Sequence, residues 1–285
     1  MPAISCHKCR KLISDKDSHC PFCSAPQTVE RETRSLTKDF FSAPGEVITW
    51  IVGINVLLYA ASILLDSSEA LSMKHGILGF GSPTSRSLYL LGMTGGSVWT
   101  CGHWWTVLTA SFLHGSILHI YFNLSWLRQL GVLTVGLLGP ARFIFAYLFT
   151  GIGGFVTSNL WNNPPTVGAS CSIFGLMGVL IVFAQRRGGL LGQRLGKQLW
   201  IWTGIGLLFG LMVPMVNNAG HIGGLLSGMA LGLLFPKHEN RRESGVLQLV
   251  SLVMLGSTIL FIGYNGLVMS QILEKYDIFG QFFCQ

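Results

Sequence analysis

Apolar runs dominate the chain after residue 46, and their lengths predict membrane-spanning helices. The first run, VITWIVGINVLLYAASILL at 47–65, matches the roughly 20 residues that cross a bilayer as a helix. It follows a polar segment, unlike a cleavable signal peptide. Seven spans are predicted in all, and the other six are centred on 111–131, 142–161, 169–185, 198–214, 219–236 and 247–270.

The composition agrees with a polytopic membrane protein. Hydrophobic residues make up 50% of the 285 positions and charged residues 11%, whereas soluble domains carry about 25% charged residues. The net charge of +7 does not require a nucleic-acid partner, because Lys and Arg collect on one side of membrane proteins.

The basic residues predict the orientation. With the N-terminus in the cytoplasm, sixteen of the 19 Lys and Arg residues face the cytoplasm, and only Lys74, Arg86 and Lys275 face outside. We therefore expect an integral protein of a bacterial inner or plasma membrane, with a cytoplasmic N-terminus and an extracytoplasmic C-terminus. Cys101 and Cys284 also fall outside, and their spacing leaves open whether they pair.

Two CxxC pairs in the N-terminal segment predict a structural zinc site. The ligands would be Cys6 and Cys9 of CHKC and Cys20 and Cys23 of CPFC, since four thiolates complete a tetrahedral zinc shell. The alternative is a pair of redox dithiols or disulfides, which a reducing cytoplasm disfavours. We expect a cytoplasmic zinc ribbon at 1–27, for partner docking or stability, and a linker at 28–45.

Several polar residues converge on the outer layer of the predicted topology. No Asp or Glu lies between Glu69 and Glu239, so chemistry in this interval would use Ser, His, Asn, Cys or backbone groups. His119 and Asn123 share a helix face, and polar groups inside a membrane mark functional sites by default. The alternative is that both side chains form interhelical hydrogen bonds only.

His114 lies five residues before His119, so we expect it to point elsewhere and to brace the loop at the mouth of the helix.

Ser170 opens the fourth apolar segment in the sequence VGASCSIFGLMG. A serine in a membrane helix ordinarily packs or bonds to local backbone. However, Gly168-Ala169-Ser170 is similar to small-residue turns that expose a nucleophile at a helix start. Such a start also directs unpaired N–H groups at an oxyanion.

His221 precedes a ladder of small residues at Gly224, Gly228 and Gly232 in the sixth segment. This spacing lets a neighbouring helix approach closely, and Gly175 and Gly178 of the fourth segment offer a matching face. Close packing would bring His221 to Ser170 as a base, in a dyad without a third acidic member.

Four stretches, in order, resemble the rhomboid intramembrane serine proteases over residues 46–270. LLGMTGG and GHWWTVLTASFLHGSILHIYFN resemble the first loop and second helix, GASCSIFGLMG the nucleophile motif, and AGHIGGLLSGMALG the sixth helix. The resemblance implies an all-α polytopic membrane fold, with a six-helix catalytic core at 46–236 and a seventh transmembrane helix at 247–270.

The resemblance also implies a serine endopeptidase that cleaves transmembrane segments of membrane proteins. Ser170 would be the nucleophile and His221 the general base. His119, Asn123, Gly168 and the Ser170 backbone N–H would form the oxyanion hole. Zn²⁺ would be structural only, and catalysis would need no cofactor. The partners would be transmembrane substrates, the lipid bilayer and a cytoplasmic partner of the ribbon, and not nucleic acid.

Two positions depart from the family pattern. Cys171 stands where the family usually has Gly, and Thr106 follows Trp105 where it often has Arg. Neither change removes a reacting residue. Cys171 lies about 100° around a helix from Ser170, so we expect it to pack and not to act as a rival nucleophile.

Two other functions fit parts of the sequence. An inactive rhomboid-like protein would bind transmembrane helices without cleaving them, although such proteins usually lack the serine or the histidine. A metal site or transporter built from His114, His119 and His221 is disfavoured, because no core carboxylate accompanies the histidines.

Overall fold

The structure is a computed structural model that describes residues 3–6, 9, 12–14, 19–25, 41, 44–68, 70, 76, 79–213, 215–237 and 243–275. The chain divides into two compact units, residues 1–42 and 43–285. Outside the described residues lie Cys284, Lys74, most of the predicted linker at 28–45 and most basic residues of the N-terminal segment.

The first unit contains a short antiparallel hairpin of β1 (Ala3–Ser5) and β2 (Leu12–Ser14). Cys6 and Cys9 lie between the two strands in the sequence, so the hairpin carries the first CxxC pair. Cys20 opens a turn after the hairpin that carries the second pair.

The second unit is helical. Over the described ranges it contains ten α-helices and one 3₁₀ turn (Ala110–Phe112). The helices are α1 (Pro44–Leu65), α2 (Ser85–Leu91), α3 (Gly96–Thr100), α4 (Thr106–Thr109), α5 (Ile117–Leu138), α6 (Pro140–Trp161), α7 (Ser170–Arg187), α8 (Gly189–Met212), α9 (Asn218–Leu234) and α10 (Gly245–Lys275).

Four of these helices are long and apolar enough to cross a membrane, namely α1, α6, α7 and α10. A fifth candidate joins Thr106–Phe112 to Ile117–Leu138 across a bend of 92°. These helices indicate an integral membrane protein. The total of seven spans in a 6+1 arrangement stays a prediction.

The helix bounds differ most from the apolar segments in two helices. The second segment was predicted at 111–131, whereas α5 begins at Ile117, because Ser116 caps the helix by accepting the His119 N–H at 3.2 Å. The fifth segment was predicted at 198–214, whereas α8 begins at Gly189. Helical hydrogen bonding continues through its polar first turns, which apolar length alone does not detect.

Helix α7 forms the centre of the second unit. It is buried without interruption from Cys171 to Ala184 and packs against α5, α6, α8 and α9. Its apolar stretch is 78% buried within the protein, whereas that of α10 is 17% buried. A helix that is apolar on every face is suited to this enclosed position.

The tightest helix contact joins α7 to α9 through their glycines. A methyl group on Gly228 would overlap the Gly175 carbonyl, and one on Gly224 would overlap the Cys171 carbonyl. A methyl group on Gly178 would likewise overlap backbone atoms of α9. The predicted close packing of the two small-residue faces is therefore confirmed.

Because of this contact, Gly→Ala substitutions are expected to destabilise the protein at Gly228 but not at Gly204. Gly228→Ala forces α7 and α9 apart and is expected to lower the free energy of unfolding by about 1–3 kcal/mol. Gly204→Ala is the matched control, because nothing lies within 4 Å of its added methyl group. The control should gain about 0.5–1 kcal/mol, since Ala is the better helix former. Denaturant unfolding in detergent micelles measures both, and equal effects would contradict the close contact.

Candidate active site

Ser170 is the first residue of α7, and a tight turn presents it. Gly168 has a φ of +131°, which L-residues rarely adopt. Its N–H donates to the Ala110 carbonyl at 2.9 Å, and a Cβ there would lie 2.7 Å from His119 Nε2. Glycine at this position therefore allows the turn and the close approach of the histidine.

The length of α7 sets the depth of Ser170. The helix ends with Arg186 and Arg187, whose charges favour the membrane interface. Ser170 lies about 24 Å along the helix axis from Arg186 at 1.5 Å per residue. The hydrocarbon core is about 30 Å thick, so a helix of this length that crosses the bilayer from Arg186 would bring Ser170 close to the opposite surface. It is partly buried.

The first turn of α7 offers unpaired backbone donors. Ile173 is the first residue whose N–H bonds back along the chain, to the Ala169 carbonyl at 2.9 Å. The N–H groups of Ser170 and Cys171 precede it and have no partner within the helix. Together with the helix dipole, they favour a negative charge beside Ser170.

His221 lies in the first turn of α9, close to α7. Asn217 caps this helix by accepting the Gly220 N–H at 3.0 Å. The buried imidazole of His221 stacks on Phe174, with ring centroids 4.3 Å apart and planes 14° apart. Phe174 lies one turn after Ser170 on α7, so the stacking holds His221 beside the Ser170 turn. We did not identify Phe174 from the sequence, where the only signal was an aromatic residue at i+4 from the serine.

His221 and Ser170 are close neighbours in the fold, but the structure, which describes both residues, shows no hydrogen bond between them. His221 Nδ1 is buried and has no hydrogen-bond partner there. Catalytic hydrogen bonds of this kind commonly tighten only when substrate binds.

His119 is oriented by its own helix start. The Gly115 N–H donates to His119 Nδ1 at 3.2 Å, so the proton of the neutral imidazole is on Nε2. This Nε2 is the atom that lies against Gly168, next to Ser170. His119 therefore directs a donor at the turn that precedes Ser170.

Asn123 lies one turn further along the same face of α5, as the spacing predicts. Its side chain is buried, and Nδ2 donates to the His119 carbonyl at 2.8 Å. One N–H of the amide is thus used within the helix, and the second N–H is available to a ligand.

Gly168 does not match its predicted oxyanion role. Its N–H is already used by the Ala110 carbonyl, so it cannot also point at an oxyanion in this geometry. The glycine instead supplies the conformation of the turn.

His114 also differs from its prediction. It does not point away from His119, because the two rings make an edge contact with centroids 5.1 Å apart. His114 precedes the start of α5 at Ile117, so helical spacing does not apply to it. It is fully buried and braces the His119 ring from the loop.

Cys171 is a packing residue, as expected. It is 1% exposed and packs with Val107, Ala110 and Phe155. Its side chain fits because Gly154 and Gly220 leave room, and a Cβ on either glycine would come within 3 Å of it.

Hydrogen bonds also connect the loop before Ser170 to the start of the helix that carries His221. Thr94 and Thr166 form a bridge through their backbone groups. Asn217, which caps the helix of His221, also donates to Thr166 Oγ1 at 2.9 Å. The loop before Ser170 and the helix of His221 are thereby connected, which no local sequence pattern predicts.

The four predicted zinc ligands lie together in the first unit. All four sulfur atoms are within 4.8 Å of one another. The Cys6–Cys23 distance is 3.7 Å and the Cys9–Cys20 distance is 3.6 Å. Tetrahedral zinc with Zn–S bonds of about 2.3 Å has S–S edges of about 3.8 Å, so this donor set fits the ion.

Cys101 of the second unit is disulfide-bonded.

Comparisons with known proteins agree with the helical site. The sequence model of the rhomboid domain family matches residues 101–238, which include Ser170 and His221. The chain is 35% identical over 157 residues to the rhomboid protease GluP of Bacillus subtilis (strain 168), covering 54% of this chain and 31% of GluP. It therefore spans about a third of the length of that relative.

Two further relatives bear on the family. YdcA of the same organism, which its name assigns provisionally to the rhomboid proteases, is 32% identical over 145 residues, which is 50% of this chain and 72% of YdcA. The inactive RHOMBOID-like protein 8 of Arabidopsis thaliana is 26% identical over 201 residues, covering 63% and 57% of the two chains. By the domain match and the coverage of YdcA, this chain belongs to the rhomboid family.

Proposed function

We propose that the protein is an intramembrane serine endopeptidase that cleaves transmembrane segments of membrane proteins. Ser170 is the nucleophile and His221 the general base. The observation that carries the proposal is the glycine contact between α7 and α9, which holds Ser170 and His221 in one layer with a donor of His119 beside them. Similarity to GluP, which is named a rhomboid protease, supports it.

In the first step, His221 accepts the proton of the Ser170 hydroxyl as Oγ attacks a substrate carbonyl carbon. The carbonyl π electrons move to oxygen and give a tetrahedral oxyanion. His119 Nε2–H, Asn123 and the Ser170 N–H donate to that oxygen. Donors fixed in a site of low dielectric stabilise developing charge more than water does.

In the second step, His221 gives its proton to the leaving amine nitrogen while the C–N bond breaks, which leaves an acyl-enzyme on Ser170. Water then attacks the ester and transfers a proton to His221. Collapse of the second tetrahedral intermediate returns that proton to Ser170 and releases the new carboxyl end. Ser170 and His119 are both partly exposed, and water is expected to enter from the extracytoplasmic side.

The depth of Ser170 defines the class of substrate. Carbonyls in an intact helix are already hydrogen-bonded, so the substrate must unwind near its cleavage site. Segments that contain Gly, Pro or small residues near the outer membrane surface are expected to be cut, because these residues weaken helices.

The proposed topology puts the site on the extracytoplasmic side and the ribbon in the cytoplasm. The ribbon would hold one structural Zn²⁺ through Cys6, Cys9, Cys20 and Cys23. The ion would stabilise the fold of the ribbon and would take no part in catalysis. A cytoplasmic partner of the ribbon and the six-plus-one arrangement of spans belong to the same proposal.

An inactive, helix-binding protein is the second candidate. Two observations favour it: Ser170 and His221 are not hydrogen-bonded among the described residues, and one relative is named inactive. Labelling with a fluorophosphonate probe separates the candidates, because only an activated serine reacts. Labelling of Ser170 would support the protease, and its absence in folded protein would support the binder.

Ser170→Ala is expected to abolish cleavage of single-span membrane proteins, because the hydroxyl forms the acyl-enzyme. The assay incubates each variant with a substrate panel and identifies cut sites by mass spectrometry. Cys171→Ala is the adjacent control and should retain cleavage. A Ser170→Ala protein that still cleaves would contradict the proposal.

His119→Ala is expected to lower kcat by about 10²–10³-fold, the usual effect of losing one oxyanion donor. The KM should change little, because the donor acts on the transition state. Steady-state kinetics on one identified substrate measure both constants, and an unchanged kcat would remove His119 from the oxyanion hole.

Purified protein is expected to contain about one zinc ion per chain, bound by the four ribbon cysteines. Cys9→Ser or Cys20→Ser should release most of the zinc, whereas Cys171→Ser should keep it. Elemental mass spectrometry measures the content. Zinc retained in both ribbon variants would place the metal elsewhere.

A further inference from the structure

A fully buried asparagine lies in helix α10, most of which is exposed. Asn265 is 0% exposed, although the apolar stretch of this helix is only 17% buried. An amide inside a membrane is costly unless its polar atoms are hydrogen-bonded. Its partners therefore indicate what this helix is bound to.

Both ends of the Asn265 amide bond to the connection between α1 and α5. Its Oδ1 accepts the indole N–H of Trp105 at 3.1 Å. Its Nδ2 donates to the carbonyls of Tyr89 and Leu90 at 2.7 and 3.0 Å. These two carbonyls lie in the last turn of α2, and the Tyr89 carbonyl also accepts the Gly92 N–H at 3.2 Å.

Aromatic contacts surround these hydrogen bonds. The Trp105 ring stacks on Phe261, with centroids 6.3 Å apart, and meets Tyr264 edge-on at 5.1 Å. Trp104 also contacts Phe261, at 5.5 Å. Phe261, Tyr264 and Asn265 share one face of α10 at i, i+3 and i+4, and each of the three contacts Trp105.

The anchored tryptophan leads directly to the nucleophile turn. Trp105 immediately precedes α4, and the 3₁₀ turn that follows begins at Ala110. The Ala110 carbonyl accepts the Gly168 N–H, and Gly168 lies two residues before Ser170. A short, continuous set of contacts therefore runs from Asn265 to the serine.

We propose that Asn265 is a positioning residue for the reaction. By binding Trp105 and the end of α2, it fixes α10 to the connection, and the connection holds the turn that presents Ser170. Helix α10 is thus a working part of the catalytic unit and not only a membrane anchor. This inference rests on the proposed proteolytic function.

Asn265→Ala, Trp105→Phe and the double variant test the proposal. Each single variant should lower kcat about tenfold with an unchanged KM, the size expected for losing the buried Trp105–Asn265 hydrogen bond that both variants remove. Fluorophosphonate labelling of Ser170, normalised to the folded fraction, should slow equally. The double variant should be no slower than Asn265→Ala, because both substitutions remove the same Trp105–Asn265 hydrogen bond.

Thr258→Val is the matched control. Thr258 lies on the same helix and is 1% exposed, and its hydroxyl bonds to the Met254 carbonyl of its own helix. This variant should keep kcat and the labelling rate. Full activity per folded molecule in Asn265→Ala, or equal losses in Thr258→Val, would overturn the proposal.

A readout that does not need activity separates the two proposals. Amide hydrogen exchange of the peptide covering 163–170 should accelerate in Asn265→Ala and not in Thr258→Val. Unchanged exchange in Asn265→Ala would overturn the positioning role whether or not the wild type cleaves. A further outcome is a wild type that neither reacts with the probe nor cleaves, while its 163–170 peptide still exchanges more slowly than that of Asn265→Ala. That result would overturn the proposed protease function and would support the link between Asn265 and the turn before Ser170.

Discussion

The backbone contact between α7 and α9 is the interaction on which the candidate site depends. Lipid tails are as apolar as leucine, so helices in a bilayer gain little from hydrophobic burial and associate by close packing. Gly228 and Gly224 remove the side chains that would separate the two backbones. The same contact that stabilises the helix pair thereby sets the position of His221 relative to Ser170.

The enclosure of α7 explains how polar chemistry is compatible with a membrane. Its neighbours enclose it, so most of the helix contacts protein and not lipid. Irregular backbone at membrane depth is tolerated where it is covered by protein or lines a wet cavity. The turn at Gly168, held by Ala110, satisfies this condition.

Polar side chains on the side of the protein that carries Ser170 and His221 link segments that are far apart in sequence. Asn217 joins the helix of His221 to the loop before Ser170, and Asn265 joins α10 to Trp105. The hydrogen bonds of the fully buried Asn265 are strong constraints, because the alternative is an unsatisfied polar group. The geometry of the site thus depends on residues that do no chemistry.

Much of this arrangement could be read from the residues alone, because it follows from local periodicity. The glycine spacing around Gly228 predicts close packing, the spacing of His119 and Asn123 predicts a shared face, and the CxxC spacing predicts one cysteine cluster. The tertiary structure alone decided that the Gly168 N–H bonds to the Ala110 carbonyl and that His114 contacts His119. It also decided the partners of Asn265. The physical reason is that periodicity reports which residues share a face of one helix. Hydrogen bonds in loops and across helices depend instead on partners that only the folded chain brings together.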